Sequence, residues 1–169
     1  MRVIDTLLAE LEQEAHATER VLARVPQEHL SWRPHPKSMS LGQLALHVAT
    51  IPGNVAQLAA LDSLTEPPAF GQPEAATAAE LVPTLKASIA KAREVLGGFD
   101  DEAMRATWRF LIGGQEKMAM PRAAVARMIM LNHWYHHRGQ LLVYLRMHDV
   151  PLPSVYGPSA DENPFATAG

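Results

Sequence analysis

The sequence predicts an all-α fold: a four-helix bundle with a short β-hairpin placed before the last helix. Two patterns and one bulk property point there. Four long stretches repeat apolar residues at helical spacing, and each is bounded by proline or glycine. Between the third and fourth stretches lies a segment with no helical period and a Gly113-Gly114 pair. The 169 residues, 47% hydrophobic, suffice to bury one core, so residues 1–169 are expected to form one domain with a loose tail from 162.

The first helix is expected from Val3 to about Arg24, with Ile4, Leu7, Leu11, Thr18 and Leu22 on one stripe, and Pro26 ends it. Trp32-Arg33-Pro34-His35-Pro36 is then an extended connector, with Trp32 its anchor to the core. Ser40-Leu41-Gly42-Gln43 is a capping box that opens the second helix, which runs to about Leu61. Leu44, Val48, Ile51, Val55 and Leu58 form its stripe, His47 lies at the stripe's edge, and Pro52 should bend it. After a proline-rich loop, residues 62–76, Thr77 and Glu80 suggest a second capping box. Leu81, Leu85, Ile89, Ala92 and Leu96 carry the third stripe to Gly97-Gly98. Thr107 to Ile112 leads into Gly113-Gly114 and reads as a hairpin. Pro121 opens the fourth helix, expected to reach His148 as one α-helix, and 151–158 packs back on the bundle as an extended tail.

Bulk properties narrow the function. Fifteen Lys and Arg against 18 Asp and Glu give a formal net charge of -3, which offers no case for nucleic acid. There is no cysteine, so disulfides, thiolate ligands and a cysteine nucleophile are excluded. No run reaches the roughly 18 apolar residues that a membrane span needs. The first residues do not read as a signal peptide, so a cytoplasmic location is expected.

The chemistry is concentrated in Asn132-His133-Trp134-Tyr135-His136-His137-Arg138-Gly139-Gln140. His133 and His137 are four apart, so they stack on one helix face and two imidazoles so placed can close on one metal ion. An isolated pair is more often a pair of satisfied histidines. On a wheel of about 100° per residue, Ala126, Ile129, Met130, Gln140 and Tyr144 share that side, which should therefore face the core. Buried rings without a use would leave nitrogens to satisfy, and a metal would take one from each. His47, facing inward from the second helix, is the third donor. Three histidines with a position left open match a catalytic rather than a structural zinc site, although nitrogen donors suit nickel, iron or copper as well. Gln140, Asn54 and Tyr144 are candidates for the layer behind the ligands. Trp134 and His136 are read as packing or dimer residues, Arg138 as the partner of an acid or a helix end, and Glu14 as either solvated or near the site.

Trp32-Arg33-Pro34, then Ser40-Leu41 and Leu44 leading to His47, then His133 to His137 continuing as Arg-Gly-Gln, resemble the DinB/YfiT-like family of metal-dependent proteins. Pro153 to Ser159 carries the likeness into the tail. The resemblance implies a four-helix bundle whose connectivity differs from simple up-and-down bundles. It also implies a divalent metal, zinc or nickel first and iron or manganese next, on His47, His133 and His137. Relatives are often homodimers, and some are S-transferases or isomerases that use low-molecular-weight thiols. A small-molecule enzyme of the thiol S-transferase or hydrolase type is therefore one expectation. A non-catalytic metal- or ligand-binding bundle of the stress-response kind is the second, and metal-free structural histidines are the third.

Overall fold

The structure is a computed structural model and describes residues 1–66 and 72–166. Its elements, in order, are α1 (Val3–Leu22), α2 (Leu41–Ala60), β1 (Ser63–Leu64), α3 (Leu81–Gly97), the short α4 (Asp101–Arg105), β2 (Thr107–Ile112) and β3 (Gln115–Pro121). The last helix begins with one turn, α5 (Arg122–Ala124), passes through a π-helix (Val125–Asn132) and ends as α6 (His133–Arg146). The expected four long helices and hairpin are present. None of the described helices is long and apolar enough to cross a membrane.

The core follows the apolar stripes. Ile4, Leu7 and Leu11 of α1, Leu44, Val48 and Ile51 of α2, and Leu81, Leu85, Ile89, Ala92 and Leu96 of α3 are all buried. Each leucine, isoleucine or valine among them contributes about 1.5–3 kcal/mol on burial. α3 packs on both α1 and α2, and the last helix packs on α2 and α1. So α1 and α2 sit at opposite corners, joined by the connector that carries Trp32. That neighbour order departs from a simple up-and-down bundle, where consecutive helices are adjacent.

Local signals explain most ends. Ser40 and Gln43 form the capping box: Ser40 Oγ accepts from the Gln43 amide at 3.1 Å and Gln43 Oε1 accepts from the Ser40 amide at 2.9 Å. The second box is a correction. Thr77 makes no capping bond, Glu80 accepts instead from the Ala76 amide, and a 3-10 turn, Ala78–Glu80, leads into α3. Pro83 is then the third residue of α3, inside the first turn, where its missing N–H costs no helical bond.

The hairpin turns at Gly113 and Gly114, with φ of 57° and 77°, the left-handed geometry glycine adopts without penalty. The sheet has one strand more than expected: β1 pairs parallel with β2, Ser63 opposite Arg109. It closes one end of the bundle. The Trp108 indole donates to the Leu58 carbonyl at 2.9 Å, and Arg122 Nε donates to the Ala59 carbonyl at 2.9 Å. Arg122 thereby satisfies a carbonyl at the end of α2, and Trp108 adds a second bond to the Leu58 carbonyl that already accepts from the Leu61 amide. At the far end of the chain, Glu162 falls in the expected loose tail yet pairs with Arg20 at 2.5 Å; residues 167–169 lie outside the described part.

Candidate metal centre

Pro52 begins the construction of the site. Without an N–H it cannot bond the Val48 carbonyl four residues back. That carbonyl is taken by the Trp134 indole N–H at 2.8 Å. On the other side of α2, the Gly53 amide is carried by Ser88 Oγ of α3 at 2.8 Å, and Ser88 donates on to the Thr50 carbonyl. A Cβ on Gly53 would stand 3.0 Å from Ser88 atoms, so glycine lets α3 approach there. The defect in α2 is thus used by both neighbouring helices. Trp134, fully buried, fixes the last helix against α2 one residue away from His133.

The π-helix sets which side of α6 meets α2. Its i→i+5 bonding widens the turn. The buried line along the last helix is therefore Ala126, Met130, Trp134, Arg138, Leu141 and Leu145, stepping by four through the π segment. The wheel reading, which put His133 and His137 on the core side with Ala126 and Met130, is corrected here. The pair is shifted one residue off the buried line and sits half-buried at its edge, facing α2.

There the three histidines meet. The ring centres of His47 lie 5.2 Å from His133 and 4.6 Å from His137, and those of His133 and His137 are 4.5 Å apart. One nitrogen from each ring can be chosen so that all three lie within 4.8 Å of one another. Nε2 of His137 is 2.7 Å from Nε2 of His133. The opposite edge of the His137 ring is engaged: Gln140 Oε1 stands 2.7 Å from its Nδ1. An oxygen acceptor at Nδ1 of His137 favours its Nδ1–H tautomer. The bare Nε2 of that tautomer meets the His133 Nε2, where a proton or a cation is shared.

Burial makes all three rings resist protonation. It is the largest cause of the lowered His47 pKa, about 4, with His137 and His133 adding to it. Burial also lowers His133, opposed by Ile129, and His137, opposed by Gln140. Among the described residues no carboxylate joins the cluster. A tetrahedral ion with Zn–N of about 2.0–2.1 Å spaces its donors roughly 3.3 Å apart. That lies between the 2.7 Å contact and the 4.8 Å limit, so the three residues could hold a metal ion after small ring rotations.

The remaining candidates separate. Gln140 backs His137 as described. Asn54 is exposed and lines a depression of about 200 Å³ with Thr50, Gln57, Ser88 and Lys91, toward α3 and away from the last helix. A larger depression of about 280 Å³ lies between α1 and α3 and does not involve the histidines either. Tyr144 packs edge-on against Trp32, 5.5 Å between ring centres, with its hydroxyl toward the Met39 carbonyl at 3.5 Å. His136 is exposed, its ring 5.0 Å from His137. Arg138 is buried and paired with Glu14 of α1 at 2.6 Å, so Glu14 is neither solvated nor part of the triad. Sequence reasoning missed the Val48–Trp134 bond; the signal was Pro52, which frees the carbonyl four residues before it.

Known proteins repeat this architecture. The family model of the DinB family matches residues 1–164. The Bacillus subtilis (strain 168) protein YrdA is 27% identical over 168 residues, covering 95% of this chain and 92% of that protein. A DinB-like protein from Bacillus cereus superposes with a TM-score of 0.69 at 22% identity, over 90% of this chain and 97% of the other. The Bacillus subtilis DinB-like protein YjoA gives 0.66 at 20% identity, over 89% and 96%. With a bundle of this connectivity, a match over nearly its whole length and the histidines that carried the resemblance, the chain belongs to the DinB family.

Proposed function

We propose that this protein binds one divalent metal ion through His47, His133 and His137 and uses it on a small molecule. The observation that carries the reading is the convergence of the three rings, one nitrogen of each within 4.8 Å of the others, while the far edge of His137 already faces the Gln140 oxygen. His133 and His137 approach to 2.7 Å at Nε2, and His47 supplies the third donor. Burial holds all three rings unprotonated, the state in which imidazole ligates. Zinc or nickel is the expected ion, with iron or manganese next, since nitrogen donors do not choose sharply among them.

The metal, when bound, would lower the pKa of a water or thiol and so supply a nucleophile in a chain without cysteine. The chain's part is to hold three neutral donors at fixed spacing, to keep the ion's charge uncompensated, and to leave one side of the cluster half-exposed for a small molecule. The class expected is a thiol S-transferase or a hydrolase. A non-catalytic binding bundle is the second reading, favoured by the lack of a carboxylate beside the rings, among the described residues, to act as general base. The test is turnover of a panel of thiols with small electrophiles, and of esters and amides, by metal-free and zinc- or nickel-loaded protein. Metal-dependent turnover lost in His133→Ala supports the enzyme; equal, slow rates in every state leave only the binding function. The homodimer expected by resemblance is tested separately, by light scattering on the eluting protein, where a monomer mass removes it.

A further inference from the structure

Resting on that metal-site reading, we infer that Gln140 is a positioning residue with two jobs: it fixes the tautomer of His137, and by being neutral it keeps the site cationic enough to favour an anionic ligand. The geometry assigns the first job. Gln140 lies three residues after His137 on α6, so its side chain reaches the same face. Its Oε1 is 2.7 Å from His137 Nδ1. An amide oxygen there accepts from Nδ1–H, which leaves Nε2 bare on the side where His133 and His47 converge. Gln140 is a side chain and can be changed without touching the helix ladder.

Composition of the surroundings assigns the second job. Metal-bound histidines are commonly backed by a carboxylate, which shares negative charge with the ion through the ring. Here the backing group is an uncharged amide. Among the described residues no carboxylate stands with the three rings. The nearest buried carboxylate, Glu14, is committed to Arg138 on another face of α6. A divalent ion on this set keeps its full charge, so the small molecule that completes the site is expected to bring a negative donor such as a thiolate or carboxylate. Gln140 is exposed, so replacing it leaves the core intact.

Cobalt(II) titration of tag-free wild type, Gln140→Ala and Gln140→Glu tests this, read by the visible spectrum, together with ¹⁵N shifts of the His137 ring in metal-free protein. Gln140→Ala is expected to weaken cobalt binding about 10- to 100-fold and to move His137 away from the Nδ1–H tautomer. Gln140→Glu restores that tautomer and the cobalt affinity, but weakens azide binding to the cobalt-loaded protein on the order of tenfold, because it places a negative charge behind the ring. Wild-type cobalt affinity and unchanged ring shifts in Gln140→Ala overturn the tautomer role. Undiminished azide affinity in Gln140→Glu overturns the charge role. Failure of the wild type to take up cobalt at all overturns the metal reading itself, a result distinct from either.

Discussion

His137 and Arg138 are adjacent in the chain, yet their polar groups have been provided for in opposite ways. Arg138 is 2% exposed. Its guanidinium donates to Glu14 Oε2 at 2.6 Å, to the Glu14 carbonyl at 3.2 Å, to Thr18 Oγ1 at 3.0 Å and to the Tyr156 hydroxyl, and it lies between the Tyr135 and Tyr156 rings. Tyr156 in turn donates to Glu14 at 2.9 Å. That cluster closes on itself and ties α1, α6 and the tail together. The histidine cluster is incomplete. Nδ1 of His137 is bonded by Gln140, while its Nε2 meets the His133 Nε2 with the His47 ring alongside. A buried polar group whose bonds close within the protein is structural, whereas ring nitrogens of three residues converging at one point mark a place for a ligand.

The largest effect that sharpens this contrast is on the complete cluster. Arg138→Ala strands the buried Glu14 carboxylate and should cost about 3–5 kcal/mol in urea unfolding. The double change Glu14→Leu with Arg138→Met should recover most of that loss, because removing both charges removes the need for either. Recovery with zinc uptake retained would separate the two clusters cleanly; loss of zinc uptake in the stable double variant would join them.

A smaller effect is expected at the hinge between the two faces. Trp134→Phe keeps the ring but leaves the Val48 carbonyl without a donor, and Pro52 cannot supply one. Stability should fall by about 1–3 kcal/mol. Zinc affinity should fall with it, because Trp134 holds His133 and His137 at their distance from His47. Unchanged zinc affinity in a destabilised Trp134→Phe would mean that the triad does not depend on this anchor.

The smallest effects belong to the incomplete cluster without metal. His47→Gln should change the stability of metal-free protein by no more than about 0.5 kcal/mol near neutral pH, as for other partly exposed positions. The difference appears on acidification. His47 has a folded pKa of about 4, below its ordinary 6.5, so between these values the unfolded chain binds the proton and the folded chain does not. Its contribution is full above about 6.5 and is lost as pH falls through 4. Unfolding free energy measured across that window should decline more steeply in wild type than in His47→Gln; identical slopes would show that burial does not hold this ring neutral.

Much of this was legible in the residues. Gly113-Gly114 marked the hairpin because only glycine takes those φ values freely. Ser40 and Gln43 marked the start of α2 because the reciprocal bonds need those two side chains at that spacing. The four-residue step from His133 to His137, with His47 added, marked the cluster. The side of the helix on which the pair would lie was not legible. A wheel assumes one turn length, and the π segment at 125–132 carries no residue that announces i→i+5 bonding, since its apolar run fits either helix. The Arg138–Glu14 pair was hidden for a related reason: residues 124 positions apart become neighbours only after α1 and the last helix dock. Asn54 shared a wheel face with His47, yet α2 turns that part of its surface toward α3.

The central claim is that His47, His133 and His137 act as one cation site, and zinc uptake tests it most directly. Tag-free wild type and the three single alanine variants would be stripped with chelator, reloaded with zinc, passed through a desalting column and assayed for metal per chain. The account predicts one tightly held zinc ion per wild-type chain and loss of stoichiometric zinc from each variant, with all four proteins folded. Wild type that retains no zinc, or variants that retain as much as wild type, would contradict it.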